Sequence, residues 1–332
     1  MPKLLSALLA AAIAAAAPAA AQEGKQLEFM SFPQGSLAYI VASSISSQAA
    51  KRSGYSVLPV PYAGPQVFIP KLDKGEGALA LVNVGEAKQA YTGTKSYDKP
   101  LRNLRLVSIG YEQSVAPLVT VKSGITDAHT LRGKPVAGEY SAHPGCLDLA
   151  TAVLADLGMG WSDVQVIPVQ SSVPGIRVVG EGRAAASVCA APDLAIVKET
   201  QIKTPLRFLS IDPSPAAVQR ARAVFPGMQP RKVKAGTTES FVEDTETFAY
   251  NFYLLTNANL PDDAIYAMAK TVWESLPELE QVHTVFKGWL RERMAEADVQ
   301  VPYHPGAIRF YKEVGVWSAE KDAETRRLLT GM

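Results

Sequence analysis

The first third of the chain alternates short apolar runs with segments in which apolar residues recur every three or four positions. The runs "LEFMSF", "SVLPVPYAG" and "GALALVNV" are typical of strands, and each precedes a helical pattern, the first of them over residues 36–52. Strands that alternate with helices form parallel βαβ units, and helices cover both faces of such sheets. The pattern therefore predicts an α/β lobe.

The same alternation returns after a long connecting strand, "LRLVSIGYEQSVAPLVTVK". Three further strand and helix pairs begin at "TLRGKPVAGEY", "VQVIPV" and "AAASVCAAPD". We expect two βαβ lobes, lobe I over residues 22–116 and lobe II over 117–212, with a ligand bound between them.

Residues 213–332 form the third predicted segment, in which the aromatic strand "TFAYNFYLLTN" crosses back to lobe I. The stretch "PDDAIYAMAKTVWESL" opens with proline and two aspartates, which favour a helix start. Further helix is expected over residues 279–297, and an amphipathic segment follows "HPGA".

The N-terminus, "MPKLLSALLAAAIAAAAPAAAQEG", has one lysine, an apolar core and small residues before Gln22. This layout predicts a signal peptide over residues 1–21 that is cleaved after Ala21. A transmembrane anchor is the alternative, although the run is short and rich in alanine. We expect an exported mature chain without a membrane anchor.

The charge balance and the absence of catalytic motifs reduce the number of functions that the sequence supports. Cleavage would remove Lys3 from the 33 Lys and Arg, leaving 32 against 32 Asp and Glu, a balance unlike that of a nucleic-acid binder. The chain lacks the G-x-S-x-G, H-E-x-x-H, P-loop and G-x-G-x-x-G motifs, and its two cysteines have no nearby metal-ligand partners. We therefore expect no enzyme, no cofactor and no metal.

Polar turns at the strand ends carry the candidate chemistry. In open α/β sheets ligands bind beyond the carboxyl ends of the strands, where helices begin with unpaired backbone N–H groups that attract anions. We expect the ligand to be an organic carboxylate. Six such turns are predicted, at residues 31–36, 63–66, 82–86, 141–145, 171–175 and 190–193.

Each polar residue of these turns has an ordinary alternative, because Ser, Asp, Asn and Gly are also common helix caps. Tyr39 could face the cleft or pack, and a lone histidine is more often structural. The candidate ligand-binding residues are Gln34, Ser36, Tyr39, Gly64, Gln66, Glu86, Ser141, His143, Gly145, Ser172, Pro192 and, in the returning strand, Asn251.

From about Leu27 to Trp317 the chain resembles the TAXI-type solute-binding proteins of TRAP transporters. The segments "HPGAIRFYKEVG", "LRGKPVAGE", "KLDKGEGALALVNVGEAKQAYTG" and "ANLPDDAIYAMAKTVWE" carry the resemblance. The chain departs from the family at the turns, where "SFPQGSLAY", "YAGP" and "SAHP" replace glycine-rich loops, and Pro65 removes a backbone donor.

The resemblance implies a bilobed fold of the type II periplasmic-binding-protein kind, closing like a Venus flytrap. It implies a monomeric periplasmic receptor that captures a carboxylate, amino acid or dicarboxylate and delivers it to the membrane subunits of a TRAP permease. The hinges would lie in the crossover strands at residues 113–117 and 249–253. The identity of the ligand stays open.

The implied fold also places the two cysteines. With strand order 2-1-3 in lobe II, the first and third strands are neighbours, which brings Cys146 near Cys189 and permits a disulfide in an oxidising compartment. Free buried thiols are the alternative.

Two other functions fit the same scaffold. An enzyme could use His143 as a base beside Cys146 or Ser141. A sensory adaptor could pass ligand occupancy to a membrane receptor.

Overall fold

The structure is a computed structural model that describes residues 26–34, 36–141 and 143–331. The predicted signal peptide and its cleavage site lie outside the described residues. Among the described residues, no helix combines the length and the apolarity needed to cross a membrane.

The first half of the fold consists of two sets of three strand and helix pairs joined by one long strand, as predicted. Lobe I contains β1 (Gln26–Ser31), α1 (Leu37–Arg52), β2 (Ser56–Pro61), α2 (Pro65–Asp73), β3 (Leu79–Asn83) and α3 (Val84–Thr92). The joining strand is β4 (Leu104–Thr120), and lobe II contains β5 (Pro135–Gly138), α4 (Pro144–Asp156), β6 (Gln165–Pro168), α5 (Ser172–Gly180), β7 (Ala186–Ala190) and α6 (Ala195–Lys203).

The strands of each lobe are parallel and follow the order 2-1-3. Strand β1 pairs with β2 and β3 in lobe I, and β5 pairs with β6 and β7 in lobe II. All six strands therefore direct their carboxyl ends, and the helix N-termini that follow them, toward one edge of each sheet. The bilobed α/β fold is confirmed, whereas the residue boundaries of the lobes stay a prediction.

Two long antiparallel strands connect the lobes. Strand β10 (Thr245–Asn257) pairs with β3 and along much of β4, and β4 pairs with β7, so the sheet runs β2-β1-β3-β10-β4-β7-β5-β6. The return of β10 to lobe I agrees with the prediction. The predicted hinge segments pair with each other, since Ala249 lies opposite Ser114.

The remaining elements are β8 (Leu206–Phe208), α7 (Pro215–Val224), β9 (Gln229–Val233), α8 (Asp262–Val282), α9 (Pro305–Glu313) and α10 (Ala319–Thr330). Strand β9, which pairs with β10, is absent from the sequence prediction. The helix predicted over 279–297 is wrong: α8 ends at Val282, and two short 3₁₀ turns follow. These turns place Phe286 and Trp289 in the core, where Trp289 Nε1 donates to Ser108 Oγ at 3.2 Å.

The C-terminal segment docks on lobe I and β4. The His304 N–H donates to the Leu106 carbonyl at 2.9 Å, and the Tyr311 hydroxyl donates to the Val107 carbonyl at 2.9 Å. From α10, the Leu328 carbonyl accepts a hydrogen bond of 3.0 Å from Tyr91 of α3. These contacts make the C-terminal helices a support for lobe I and β4.

Candidate functional site

The predicted turns begin helices at the expected strand ends, and the structure shows how several of them are capped. Ser36 Oγ accepts from the Tyr39 N–H at 3.2 Å, and Asn83 Oδ1 accepts from the Glu86 N–H at 2.9 Å. Each bond satisfies one backbone donor that a helix start leaves unpaired. For Ser36 the structure thus supplies the capping role that was the alternative to ligand contact.

Two helix starts from opposite lobes meet across the cleft. Glu86 lies in the first turn of α3, and Gly145 is the second residue of α4. A Cβ added to Gly145 would lie 3.2 Å from Glu86 Oε1. The Gly145 N–H has no hydrogen bond among the described residues. Two of the predicted residues are therefore brought together, and the glycine permits the close approach of α4 to the carboxyl group.

Glu86 is a buried acid without a cationic partner. Its exposed fraction is 7%, and Asn83 Nδ2 donates to Oε2 at 2.7 Å, while no described Lys, Arg or His forms an ion pair with it. Burial, with a smaller contribution from the charge of Asp148, raises the pKa of Glu86 to about 8. The carboxyl group is thus mostly protonated at neutral pH in this conformation.

A polar bridge joins the two lobes beside this contact. Asp148, one turn into α4, accepts from Gln89 Nε2 of α3 at 2.7 Å and from Lys95 Nζ at 2.6 Å. Both donors belong to lobe I. The bridge therefore exists only when the lobes are close, and sequence analysis did not predict it.

An apolar contact adds to the bridge. The helix α7, which packs against α4, leads to Phe225, and the ring of Phe225 covers the start of α3. A Cβ at Gly85 would lie 2.5 Å from Phe225 Cε2, so only glycine fits there without displacing the ring. Phe225 also makes an edge contact with Tyr250 of β10, with ring centroids 5.5 Å apart.

Aromatic side chains of the crossover strands lie next to this region. Tyr111 of β4 stacks on Phe252 of β10 at 4.6 Å, and the Tyr250 hydroxyl donates to Gln113 Oε1 at 2.8 Å. Burial raises the pKa of Tyr250, and the negative charges of Asp193 and Glu86 raise it further. Tyr250 thus lies near turns of both lobes. The aromatic residues of "TFAYNFYLL" could have suggested that this part of the returning strand lies at the cleft.

The turn before α4 has an unusual backbone. Glu139 and Tyr140 both have positive φ, 64° and 45°, a region that residues with a Cβ rarely adopt. Tyr140 is buried, and its hydroxyl has no hydrogen-bond partner among the described residues. The same holds for Ser187 Oγ, which lies close to Tyr140 near Gly175. These two residues lead the chain from the end of β5 into the turn before α4.

The two cysteines are bonded in the structure. Cys146 of α4 and Cys189 of β7 have Cα atoms 5.8 Å apart, within the usual range for a disulfide. A cysteine in a disulfide offers no thiolate, so the alternative with His143 acting on Cys146 loses its nucleophile. His143 itself is the N-cap of α4, and desolvation by surrounding protein lowers its pKa.

The other predicted residues lie at helix starts or at the crossover. In lobe I, Gln34 Nε2 donates to the Tyr39 hydroxyl at 3.4 Å, and Gly64 is the N-cap of α2 with an extended φ of 170°. Ser172 is the first residue of α5. Gln66 and Ser141 are exposed, and Pro192 lies in the turn before α6.

Asn251 contacts an arginine that the sequence analysis did not place near the crossover. Asn251 Oδ1 accepts from Arg293 Nη2 at 3.2 Å, and Arg293 also pairs with Glu112 and Glu296. Its side chain is 18% exposed. Because its guanidinium already has these partners, Arg293 holds β4, β10 and the C-terminal segment together. In the described part of the chain, no group of three His, Cys, Asp or Glu could hold a metal ion.

Comparisons with known proteins identify a family and a fold. A sequence model described as the NMT1-like family matches residues 21–315. The periplasmic binding protein BugD is similar with a TM-score of 0.54 and 11% identity, covering 92% of this chain and 96% of its own. A TctC solute binding protein from Polaromonas is similar with a TM-score of 0.53 and 12% identity, and the match covers 93% of this chain and 99% of the TctC protein. Rpa4515 of R. palustris, described with adipate, is similar with a TM-score of 0.51 and 16% sequence identity. The match covers 91% of this chain and 94% of Rpa4515.

Proposed function

The chain belongs to the NMT1-like family, and we propose that it is a solute receptor that captures a small organic anion or zwitterion between its two lobes. The observation that carries this proposal is the meeting of the α3 and α4 helix starts at Glu86 and Gly145. A ligand at this point would touch both lobes at once. Such a ligand binds the closed state better and shifts the protein toward closure.

The chemistry of the helix starts supports an anionic group on the ligand. The Gly145 N–H, which has no hydrogen bond to any residue that the structure describes, lies at the positive end of α4, where a carboxylate is stabilised. Ser31 Oγ, at the carboxyl end of β1, is buried and has no hydrogen-bond partner among the described residues. Adipate in Rpa4515 is likewise an organic carboxylate, held by a protein of similar fold.

The proposal extends to export, location and partner. Signal peptide cleavage after Ala21 would release the receptor into the periplasm, where the Cys146–Cys189 bond is stable. The TAXI-type resemblance from Leu27 to Trp317 favours delivery to a TRAP permease by a monomeric receptor. Ligand-driven closure would present the surface that the permease recognises.

Thermal unfolding tests ligand capture directly. The mature protein is unfolded, freed of bound ligand, refolded and then heated with amino acids, dicarboxylates, oxo-acids and aromatic acids. Binding to the folded state alone stabilises it by about 2.7 kcal/mol at a hundredfold excess over Kd. A stabilising compound that is recovered unchanged after incubation supports a receptor.

A glycine variant locates the site. Gly145→Val adds a branched side chain whose Cβ would lie 3.2 Å from Glu86 Oε1, so it should abolish the thermal shift of a ligand held at this contact. Gly160→Val in the same lobe is the matched control, because a Cβ there has only Ser162 Oγ nearby, at 4.0 Å. If Gly145→Val binds the stabilising ligand as tightly as Gly160→Val, the ligand does not lie between α3 and α4.

A further inference from the structure

The side chain of Glu86 is only partly satisfied in the cleft. Asn83 donates to Oε2, whereas Oε1 faces Gly145 of the opposite lobe and has no hydrogen bond among the described residues. Burying a carboxyl group without a partner is costly unless a donor or a cation completes its surroundings. One oxygen of Glu86 is therefore directed at the place where the lobes meet.

The neighbouring groups do not supply the missing partner. Asp148 of α4 is acidic, and its own oxygens are bound by Gln89 and Lys95. Tyr97, which follows α3, and Tyr250 of β10 are close enough for the charge of Glu86 to raise their pKa values. The Tyr97 hydroxyl is buried and has no partner among the described residues. The surroundings of Glu86 thus combine negative charge with an unused hydroxyl.

We propose that Glu86 binds the ammonium group of a zwitterionic ligand, whose carboxylate lies at the neighbouring Gly145 N–H. The inference rests on the proposed function and narrows its ligand class. An α-amino acid carries its ammonium and carboxylate groups on the same carbon, which matches the contact of Glu86 with Gly145. Because the two are in contact, α4 must move away from α3 to admit the ligand.

A simple dicarboxylate fits this position poorly. Only the protonated form of Glu86 could hold its second carboxylate, which would also add a negative charge near Asp148, whose own charge Lys95 already balances. An ammonium group donates a charge-assisted hydrogen bond to Glu86 Oε1, and such a bond is stronger than a neutral one. The position should therefore favour a ligand with an amino group over the same acid without it.

Matched ligand pairs test this preference in the wild-type protein. Leucine is compared with 4-methylpentanoate, phenylalanine with 3-phenylpropanoate, and glutamate with glutarate, by titration calorimetry at pH 7. We expect the amino acid of at least one pair to bind roughly 10- to 100-fold more tightly, the range of a hydrogen bond to a charged group. Equal or tighter binding of the deaminated acids would overturn the inference.

Proton release gives a second readout. Titrations of the same amino acid in buffers of different ionisation enthalpy measure the protons released on binding. Because burial raises the pKa of Glu86 to about 8 in the closed protein, an ammonium ligand that ionises Glu86 should release a proton from most molecules at pH 7. The deaminated acid should release none.

Glu86→Gln keeps the shape of the side chain and removes its charge. We expect it to lose the preference for the amino acid and the proton release. Glu76→Gln is the matched control, since Glu76 pairs with Lys71 on the exposed surface of lobe I. An unchanged preference in Glu86→Gln would overturn the inference and leave the receptor proposal intact. Binding of no compound from either series by the wild type would refute the receptor proposal for this ligand class, and with it the inference.

Discussion

Closure of the two lobes depends on Asp148, and removing its carboxylate should open the ligand-free protein. Asp148→Ala deletes the acceptor of both Gln89 and Lys95. The residue lies in α4, where alanine is a better helix former than aspartate. The substitution should therefore weaken the contact between the lobes without weakening lobe II.

The magnitude follows from exposure and geometry. The Lys95 side chain is 43% exposed and that of Asp148 is 19% exposed, so their ion pair is worth about 0.2–1 kcal/mol. The hydrogen bond from Gln89 to a charged, partly buried acceptor adds about 1 kcal/mol after allowance for solvent. The ratio of closed to open protein should fall by roughly 8- to 30-fold.

Small-angle X-ray scattering measures the effect. Asp148→Ala should have a larger radius of gyration than the wild type without ligand, and an equal one when saturated with ligand. Lys95→Ala should show the same change to a smaller extent, because it removes only the weaker of the two contacts.

Asp163→Ala is the matched control, because Asp163 pairs with Arg132 inside lobe II. It should lower stability without changing the scattering. If Asp148→Ala and Asp163→Ala have the same radius of gyration as the wild type, the bridge does not govern closure and the reasoning from these contacts fails.

Three further outcomes are expected. Gly85→Ala places a methyl group 2.5 Å from Phe225 Cε2, so scattering should show an expanded ligand-free protein and titration calorimetry should show weaker ligand binding. The melting temperature should stay level or rise, because alanine is more favourable than glycine inside a helix. Replacing Cys146 and Cys189 by serine should cost about 4 kcal/mol in urea unfolding, from a bond that closes a loop across 43 positions, and neither cysteine of the unreduced, unfolded wild type should react with a thiol reagent. His304, 0% exposed, has its pKa lowered by burial from 6.5 to about 4, so the folded state binds fewer protons than the unfolded state. Stability should fall by about 3 kcal/mol as pH drops from 6.5 to 4, and His304→Asn, which keeps a cap for Gly306, should lose this dependence in urea titrations.

The fold was largely predictable because apolar periodicity reports burial directly. Strands such as β3 and β7 are buried at every position, and α1 begins directly after Ser36, close to the predicted start of that helix. Strand β9 escaped prediction because "QPRKV" is polar and only partly buried against β10. The helix predicted after Leu279 failed because Phe286 and Trp289, three positions apart, suit a 3₁₀ turn as well as an α-helix.

The site was predictable only within each lobe. Turns at strand ends follow from βαβ order, so Glu86 and Gly145 could be named from the sequence. The partners of Asp148 and the position of Phe225 depend on how one lobe lies against the other, which no local pattern contains. Arg293 was missed for the same reason, since its contacts with Glu112 and Asn251 join segments far apart in the chain.

Because Glu86 is buried in the cleft, the stability of the closed state depends on the charge of the bound ligand. Burial in the cleft raises the pKa of Glu86 from 4.5 to about 8, so closing the empty cleft over this carboxyl group at pH 7 requires uptake of a proton, and closure becomes harder as the pH rises toward 8. The Asp148 bridge and the Phe225 contact hold the empty cleft closed against this penalty. An ammonium group beside Glu86 would remove the penalty, because the ionised carboxylate then has a partner. With an ammonium ligand the closed state would therefore be more stable than with an anionic one, which is the difference in affinity that a ligand needs in order to shift a population toward closure.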